Sequence, residues 1–586
     1  MKKITVLAVE KYAAHTVEAL RKLGFLHVSH MQQPQADYIT SLEHKLIVLD
    51  KALLLLKDVS KQKQERDKER LLSYEKEIMN LSEQNQHYIA EKQKTEEKLL
   101  WYKNWGDISL VSVEELEKAG IFIKLYLCSK SELKKISQDK CVYVIGQKGG
   151  QVQVVFVSAN EEETLGFAQI GLPREGQHSS QRKMTAISEH LEKIEKRLTE
   201  LSAYRKSFLE YKKDLLKNLE FYKVRFGMTH KEGICCLQGF CPQGSVSQIE
   251  KVAKLKGWAV MIEEPEDPLE VPTLVSYPRW AKAIKPIFDF MGTLPGYKEY
   301  DISPWFLLFF SLFFAMLIGD AGYGFLFLGV TFFARRKLPK APREPFFLMY
   351  VLAVATIIWG AVTGTWFGAE KIGQLPGFEA LVIDKINSFA EGNQNFMIYI
   401  CFLIGAVHLT LAHAIVAFKY INSWVALSQV GWIIIVWTSF FIAGKLVLSK
   451  AMPGFALILG LLGVLLVILF SNFQKNILKG ALISLADLPL KAIGCFADVV
   501  SYLRLFAVGY ASVVLAVTFN NMAFDLGFNT IFTAVLAAFI LFLGHSLNIV
   551  LGFMGVIVHG IRLNMLEFSG HLNMEWSGRQ YKPFKE

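Results

Sequence analysis

The pattern of hydrophobic and polar positions divides the chain into two parts. Residues 1–300 are polar, whereas residues 301–575 contain long apolar runs such as "FALILGLLGVLLVILF" at 455–470. Runs of this kind are typical of membrane spans. The predicted fold class has two parts. Residues 1–300 are predicted to form a cytosolic arm of small α+β lobes linked by a long antiparallel coiled coil. Residues 301–586 are predicted to form an all-α polytopic membrane domain.

Two polar stretches predict the coiled coil. Residues 35–105 and 177–226 contain neither glycine nor proline, and their apolar positions step by three and four, the spacing of a heptad seam. The seam is formed by Leu46, Leu49, Leu53 and Leu56 in the first stretch and by Met184, Ile187, Leu191, Ile194, Leu198 and Leu201 in the second. Paired antiparallel, two such helices form a stalk of roughly 70–100 Å at about 1.5 Å per residue.

Shorter apolar runs around the stalk predict strands. They lie at 4–9, 24–30, 121–128, 141–146, 152–157, 233–240 and 258–264. Because the first two and the last two flank the long helices, we expect them to share one lobe. The middle three then form a second lobe at the other end of the stalk.

Composition excludes several function classes. The net charge of +10 lies along helices and beside apolar segments, which favours a solvated face or an anionic membrane surface over nucleic acid. Cys235, Cys236 and Cys241 lack the paired spacing of a zinc site and are interpreted as reduced strand residues. Residues 292–299 lack the ending of a phosphate-binding loop, so we expect no nucleotide hydrolysis by this chain. No secretory signal opens the sequence, which predicts a cytoplasmic N-terminal arm.

Eight spans are predicted in the apolar part. Six lie at 346–367, 396–418, 424–446, 453–472, 484–520 and 527–568. Residues 304–334 are too long for one span and are interrupted by "GDAGYG" at 319–324. The basic loop 335–343 is expected inside, like the arm, so an even number of crossings is needed. We therefore predict two short spans, 304–318 and 321–334; one kinked helix and seven spans is the alternative.

The last two predicted spans exceed the roughly 20 residues that cross a bilayer upright, so we expect them to tilt or protrude. The C-terminal "YKPFKE" is expected on the cytoplasmic side. The chain is thus predicted to be a multi-pass protein of the cell membrane.

An arginine in the penultimate span needs an explanation. Arg504 lies in "VVSYLRLFAV", where burying its permanent charge costs about 3 to over 10 kcal/mol. Asp498, six residues earlier, falls on a different face of the helix. No other span offers an obvious acid at that depth, and Asp320 lies in the glycine-rich break, where it lines an outer entrance or caps the break. We therefore expect the acid that meets Arg504 to come from another protein.

The last span carries a second group of ionisable residues, His559, Arg562 and Glu567. His559 and Arg562 are three residues apart and share a helix face. Two interpretations stay open for Arg562. It forms a paired positive barrier with Arg504, or it lies at the cytoplasmic interface and extends its charge into water.

Three motifs together resemble a known family. "SYLRLFAVGYASVVLA" at 501–516, "HGIRLNMLEFSGHLN" at 559–573 and "GDAGYG" are similar to the membrane stator subunit, called I or a, of V/A-type rotary ATPases. The resemblance covers the whole chain. "DISPW" at 301–305 departs from the usual Asp-Pro-Thr-Pro, and Gly552 stands where eukaryotic relatives usually have a glutamate.

The resemblance implies a mechanism and partners. A ring of proteolipid subunits, each with one carboxylate, turns against this subunit, and Arg504 draws each carboxylate into its charged form so that it releases its ion. Arg504 also blocks a leak between two offset half-channels. The implied partners are the rotor ring, peripheral-stalk subunits, the central stalk and catalytic head, and the lipid membrane.

Candidate ion-translocation residues surround the two arginines. They are Asp498, Ser501, His545, Asn548, His559 and Glu567. For His545 and Asn548, packing against a neighbouring helix is an equal alternative. His408 and His413 could form a metal pair, but we interpret them as core histidines; no catalytic residue, cofactor or metal is predicted.

Two other functions fit part of the pattern. A secondary transporter with a cytosolic arm would predict inverted repeats, which the apolar part does not show. A structural tether would explain the arm but not Arg504.

Overall fold

The structure is a computed structural model. It describes residues 1–586 except 60–61, 134–135, 137–139, 149–150, 168, 174, 391, 472–476, 529 and 586, and except the side chains of residues 131, 148, 477 and 478. The described chain forms two compact units. One comprises Met1–Lys3 and Glu263–Lys582, and the other Ile4–Ile262 and Pro583–Glu586. Residues 263–300 therefore group with the apolar helices.

One lobe joins the two ends of the polar part; we call it the terminal lobe. Its sheet has the strand order His27–Ser29, Ile234–Cys241, Lys2–Val9, Ala259–Glu263, with Thr229–Lys231 paired to Ile234–Cys241. Helices Ala13–Leu23 and Val246–Lys256 contribute to its core, which includes Ile4, Val17, Leu20 and Ile249. The prediction that the first and last strand segments share one lobe is confirmed.

The cysteines of the terminal lobe are free thiols in or at the end of a strand. Cys235, Cys236 and Cys241 all lie in Ile234–Cys241, and Cys235 and Cys241 are buried. Burial raises the pKa of Cys241 to about 11. This thiol therefore stays protonated near neutral pH and is a poor nucleophile.

A second lobe, the middle lobe, lies between the long helices in sequence. Its antiparallel sheet has the order Val142–Lys148, Gln151–Ser158, Phe122–Ser129, Gln169–Ile170. Short helices Leu110–Lys118 and Lys130–Leu133 precede and follow the strand Phe122–Ser129. Tyr126, Val154 and Phe156 are fully or almost fully buried in its core.

The paired helices between the lobes are interrupted. Asp37–Leu55 packs with Arg205–Phe226, and Lys68–Trp105 packs with Gln177–Ser202. The predicted long helix over 35–105 is interrupted, because residues 56–59 and 62–67 are not helical. The described residues 62–67, "QKQERD", offer no apolar side chain to the partner helix, so packing cannot hold them helical. The antiparallel coiled coil stays a prediction.

The apolar part is helical. Its helices are Ser303–Ile318, Ala321–Lys337, Arg343–Thr363, Gln394–Lys419, Val425–Leu448, Gly454–Phe470, Ile477–Ser501, Leu503–Asp525 and Ile531–Gly555, followed by the π-helical turns Val556–Gly560 and Leu563–Phe568 and the short helix Ser569–His571. Among the described residues five continuous helices are long and apolar enough to cross a membrane: Arg343–Thr363, Gln394–Lys419, Val425–Leu448, Lys479–Asp525 and Ile531–His571. Counting one bent pair as a single span brings the number to six.

That bent pair is Ser303–Ile318 and Ala321–Lys337, which differ in direction by 118°. Gly319 adopts a left-handed φ of 69° at the break, and the Asp320 side chain caps the second helix by accepting the N–H groups of Gly322 and Tyr323. A turn of this size reverses much of the chain direction, unlike an ordinary helix kink. The total of eight spans, which also needs the 17-residue Gly454–Phe470, stays a prediction.

The last two spans are long. We call Lys479–Asp525, of 47 residues, the penultimate helix, and Ile531–His571, of 41 residues, the last helix. Leu503–Asp525 packs along Ile531–Gly555, and Met316, Leu317 and other residues of the first apolar helix join them in one core. The two helices that carry the predicted site residues are therefore neighbours.

Candidate functional site

Arg504 is paired with a carboxylate of the same chain. Its Nη2 donates to Glu567 Oε1 at 2.6 Å and also to Ser501 Oγ, and its Nε donates to the Ser501 carbonyl at 2.9 Å. Ser501 Oγ donates to the same Glu567 oxygen at 3.0 Å. The Glu567 side chain is 4% exposed and that of Arg504 is 24% exposed. The pair thus compensates much of the cost of a charge in apolar surroundings.

The expectation that no other span supplies an acid to Arg504 is therefore wrong. The physical reason is the π-helical turn Leu563–Phe568 of the last helix. In an α-helix, residues five apart point about 140° away from each other, whereas a π-helix bonds residue i to residue i+5. The wider turn brings Arg562 and Glu567 to one side, with Arg562 Nε 3.5 Å from Glu567 Oε1. No periodicity in the sequence indicates this turn.

Both arginines therefore contact one carboxylate oxygen. Arg562 is the more open of the two, with 56% of its side chain exposed. If all three groups are ionised, two positive charges face one negative charge, and one positive charge is left over. This arrangement suits the attraction of a further carboxylate to the site.

Several polar atoms near the arginines lack partners among the described residues. They are Glu567 Oε2, Asn564 Oδ1 and His559 Nδ1, and all three are buried. Buried polar atoms are normally hydrogen-bonded, so unpaired ones call for water or an ion. His559 lies three residues before Arg562, and its Nδ1 forms no hydrogen bond to a described residue.

Asp498 lies apart from Arg504 and starts a chain of hydrogen bonds. Its Oδ2 lies 3.0 Å from His571 Nε2, His571 Nδ1 lies 2.9 Å from His413 Nε2, and His413 Nδ1 lies 2.8 Å from Gln429 Oε1. We call these four residues the histidine chain. Sequence analysis singled out Asp498 but missed His571 and Gln429, because their helices meet only in the folded structure.

A cavity connects the histidine chain with Glu567. It measures about 370 Å³, and its wall includes Asp498, His571, Glu567 and Lys491. Water can fill a polar space of this size. Glu567, the carboxylate that contacts both arginines, thus lies in the wall of a cavity large enough for water.

His408 has a different environment from His413. It is fully buried between the rings of Phe309 and Phe568, at centroid distances of 3.9 and 4.2 Å, and its Nδ1 lies 2.8 Å from the Tyr502 hydroxyl. The geometry is that of a core histidine. His413 belongs to the histidine chain, so the two do not face one common site.

His545 and Asn548 lie in a second polar network. His545 Nδ1 is 2.7 Å from the Tyr323 hydroxyl and its Nε2 is 3.1 Å from Asn520 Oδ1. Asn548 donates to the same Tyr323 hydroxyl at 3.1 Å and accepts from Ser512 Oγ at 3.0 Å. This network joins the last two helices to the bent pair.

Asp320 anchors the bent pair. Besides Gly322 and Tyr323, its carboxylate accepts the N–H groups of Phe367 and Gly368 at 2.8 Å each. Four backbone donors satisfy a buried carboxylate without a counter-ion. Of the two alternatives for Asp320, the geometry matches a cap of the helix break.

Comparison with known proteins gives a consistent result. No family model matches the chain. The V-type ATP synthase subunit I of Borreliella burgdorferi is 34% identical over 615 residues, covering 100% of this chain and 99% of the relative. The V-type ATP synthase subunit I 1 of Treponema pallidum is 27% identical over 632 residues, covering 100% and 99%.

One solved structure, the cytoplasmic N-terminal domain of subunit I, homolog of subunit a, of V-ATPase, covers 45% of this chain and 100% of its own, at 13% identity and a TM-score of 0.25. The sequence similarity to the Borreliella protein spans both chains almost from end to end. The chain therefore belongs to the family of V-type ATP synthase subunit I.

Proposed function

We propose that this chain is the stator subunit that forms the ion path of a rotary ATPase, with Arg504 facing the carboxylates of the rotor ring. The family is that of a membrane subunit of a rotary ATPase, which works in a complex with rotor and stalk subunits. The observation that carries the proposal is the partly exposed Arg504, held on the penultimate helix by Glu567 and Ser501.

The guanidinium has room for a second carboxylate. Nε and Nη2 of Arg504 are used by Ser501 and Glu567, whereas Nη1 forms no hydrogen bond to a described residue. Guanidinium groups bind two carboxylates readily because their five N–H groups point in fixed directions. An incoming ring carboxylate thus meets a free side of Arg504 that is already oriented.

The physical effect on that carboxylate is large. Two unit charges about 4 Å apart attract by roughly 4 kcal/mol at an effective dielectric constant near 20. Since 1.36 kcal/mol corresponds to one pKa unit, this attraction lowers the pKa of the ring carboxylate by a few units. The carboxylate releases its ion beside Arg504 and regains one before it returns to lipid.

The half-channels are assigned to the two polar regions beside Arg504. The cavity lined by Asp498, Glu567 and His571 serves the inner side. Ser501 and Arg562, which both contact Glu567, and His559 are proposed to act beside it. The network of His545 and Asn548 lies towards the bent pair and serves the outer side.

The topology supports this assignment. Phe584, near the C-terminus, is buried in the terminal lobe, and its N–H donates to the Leu26 carbonyl at 2.8 Å. The N-terminal arm and the C-terminus then lie on one side of the membrane, which requires an even number of crossings. Eight spans, with both ends in the cytoplasm of a cell-membrane protein, meet this requirement.

The arm is proposed to link the membrane sector to the peripheral stalks, while the nucleotide chemistry belongs to the head subunits. The middle lobe, with its own core, is the expected attachment site. The chain itself hydrolyses no nucleotide and works without a cofactor.

Arg504 provides the test. In the assembled complex reconstituted into liposomes, Arg504→Gln is expected to abolish ATP-driven ion transport, because a neutral side chain cannot draw the ring carboxylate into its charged form. Arg504→Lys keeps the positive charge but loses the planar guanidinium that binds a carboxylate through two N–H groups. This variant is expected to transport slowly. Native gels control for assembly. Normal transport by assembled Arg504→Gln complexes would refute the proposal.

A further inference from the structure

We propose that the basic loop 335–343, together with the outward surface of the helix that leads into it, binds an anionic phospholipid. The ligand is a glycerophospholipid with a negatively charged headgroup, and one of its acyl chains lies along the helix Ala321–Lys337. The inference goes beyond the proposed function, because none of these residues belongs to the site around Arg504.

The basic loop has no acid of its own to pair with. Its nine residues include five cations and no carboxylate. The cations are Arg335, Arg336, Lys337, Lys340 and Arg343. None of them forms an ion pair with a described residue, and the acid that follows the loop, Glu344, pairs with Lys282 at 2.8 Å. The described part of the chain therefore leaves five positive charges without a counter-charge.

Two of the arginines are positioned by contacts within the chain. Arg335 Nη1 donates to the Ala341 carbonyl at 3.1 Å, and its guanidinium lies 5.3 Å from the centre of the Phe346 ring. The guanidinium of Arg336 lies 4.4 Å from the centre of the Phe332 ring. A guanidinium over an aromatic ring keeps its N–H groups available for a phosphate. Part of the anion site is therefore formed before a ligand arrives.

The outward surface of the helix that leads into the loop is apolar. Along Ala321–Lys337, the side chains of Leu326, Val330 and Phe333 are all exposed. Their spacing of four and three residues places them on one helix face. Four residues after Phe333, the same face carries Lys337. This face thus forms an apolar strip that ends in a cation.

The adjoining face of the same helix repeats the arrangement. Phe325 and Phe332 are exposed, and Arg336 follows Phe332 by four residues. Gly329 lies between the two phenylalanines in sequence, and a side chain there would meet no atom within 4 Å, so the surface is open. Each face therefore offers room for an acyl chain that leads to a cation for its phosphate.

The length of the next helix places the loop at the depth of lipid headgroups. Arg343–Thr363 has 21 residues and is long and apolar enough to cross a membrane. At about 1.5 Å per residue, its length matches the roughly 30 Å of the hydrocarbon core of a bilayer. Arg343 is its first residue and lies at the boundary between acyl chains and headgroups, together with the rest of the loop.

The arrangement exceeds what membrane orientation requires. Orienting the chain needs only the positive charges. It needs neither arginines held over aromatic rings nor exposed apolar strips that end at the cations. An acidic protein segment would pair with the cations and leave the strips uncovered, whereas a phospholipid matches both parts of the surface.

The experiment uses the complete complex in phosphatidylcholine nanodiscs that contain a small share of a photoactivatable lipid. Phosphatidylglycerol and phosphatidylcholine with the same diazirine-labelled acyl chain are compared, and peptide mass spectrometry locates the adducts. Phosphatidylglycerol is expected to label residues 325–347 about tenfold more strongly, because each lysine or arginine near an anionic surface strengthens the attraction about fivefold. Equal labelling by the two lipids, or no labelling of this segment, overturns the proposal.

A double variant tests the cations at the ends of the strips. Arg336→Gln with Lys337→Gln leaves the other three cations of the loop to orient the chain. It is expected to lower labelling by phosphatidylglycerol about tenfold and to leave labelling by phosphatidylcholine unchanged. The matched control, Lys371→Gln with Lys385→Gln, neutralises two exposed lysines of the same unit and should label like the wild type. Full labelling of the double variant, or an equal loss in the control, contradicts the site.

Salt and cross-linking separate the lipid from other occupants. At about 1 M salt the Debye length falls to about 3 Å, so the preference for phosphatidylglycerol should shrink, and an unchanged preference overturns the role of charge. A direct cross-link from Lys337 or Lys340 to a carboxylate of another subunit would identify a protein as the occupant instead. The comparison of the two lipids on the wild-type complex decides the question even if the double variant fails to assemble.

Discussion

A single carboxylate determines the electrostatics around both arginines of the last two helices. Glu567 Oε1 accepts from Arg504 and lies 3.5 Å from Arg562. Under the proposed function, one ring carboxylate would be enough to neutralise the one positive charge left over, and a neutral site would let the ring turn onward. Without Glu567 two positive charges would hold the ring carboxylate more strongly and oppose its departure.

The two arginines are expected to differ in importance. Arg562→Ala should slow ATP-driven transport by about fivefold or less, because an exposed ion pair contributes only about 0–1 kcal/mol. Arg504→Ala should abolish it. Transport rates of both variants in liposomes, normalised to assembled complex, give the comparison. Equal loss in the two variants would show instead that the arginines act as one paired barrier.

At the scale of helices and strands, the sequence predicts elements with a regular apolar spacing. It does not predict the irregular turns that interrupt such elements. The strands of both lobes and the two over-long C-terminal helices follow from apolar periodicity. The π-helical turn Leu563–Phe568 does not, because nothing in its residues breaks the α-helical pattern, and with it the Arg504–Glu567 pair was missed. The histidine chain was missed because its residues come from separate helices, which sequence spacing cannot bring together.

The bent pair provides a prediction about topology. If Ser303–Ile318 and Ala321–Lys337 form two spans, a cysteine at Lys340 lies inside and one at Glu379 lies outside. An impermeant maleimide applied to the outside of sealed cells should label Glu379→Cys and spare Lys340→Cys, in a chain whose exposed Cys141 is changed to serine. Outside labelling of Lys340→Cys would mean that the pair crosses only once.

The C-terminal segment is expected to stabilise the terminal lobe. Phe584 is 2% exposed in the core of that lobe, and Arg21 lies 5.8 Å from the centre of its ring. Phe584→Ala should lower the free energy of unfolding of the lobe by about 3–5 kcal/mol. Hydrogen exchange of the strand Ile234–Cys241 in the complete subunit reports the change, with the exposed Lys585→Ala as control. Unchanged exchange in Phe584→Ala would contradict this role.

At the scale of the whole molecule, the proposed function gives the chain two tasks that need different structures. The apolar unit must hold charged side chains at fixed places, and it does so with short contacts between neighbouring helices. The other unit consists of two lobes joined by paired helices, in which exposed ion pairs such as Arg197–Glu77 and Lys57–Glu195 connect helix to helix or to an adjoining segment. Such an arm suits attachment to other subunits rather than chemistry.

The middle lobe is carried by two helix ends that lie close together. The two helix ends that carry it are adjacent, because the Tyr102 hydroxyl donates to the Glu175 carbonyl at 2.7 Å and Lys98 pairs with the Glu175 carboxylate at 2.9 Å. A short linker can therefore replace residues 109–175. The core of the lobe, around Tyr126 and Phe156, leaves with the deleted segment.

We expect this deletion to release the catalytic head while the apolar unit stays folded and bound to the rotor ring. Losing one of several attachments lowers the overall binding strength by about a hundredfold or more, because linked contacts multiply one another's effect. Native gels and mass measurement of the solubilised complex distinguish head-containing from head-free particles. A matched variant that replaces only the exposed loop 160–162 controls for damage to the lobe. Heads that remain attached through this subunit after the deletion would show that the peripheral stalk binds elsewhere on the arm.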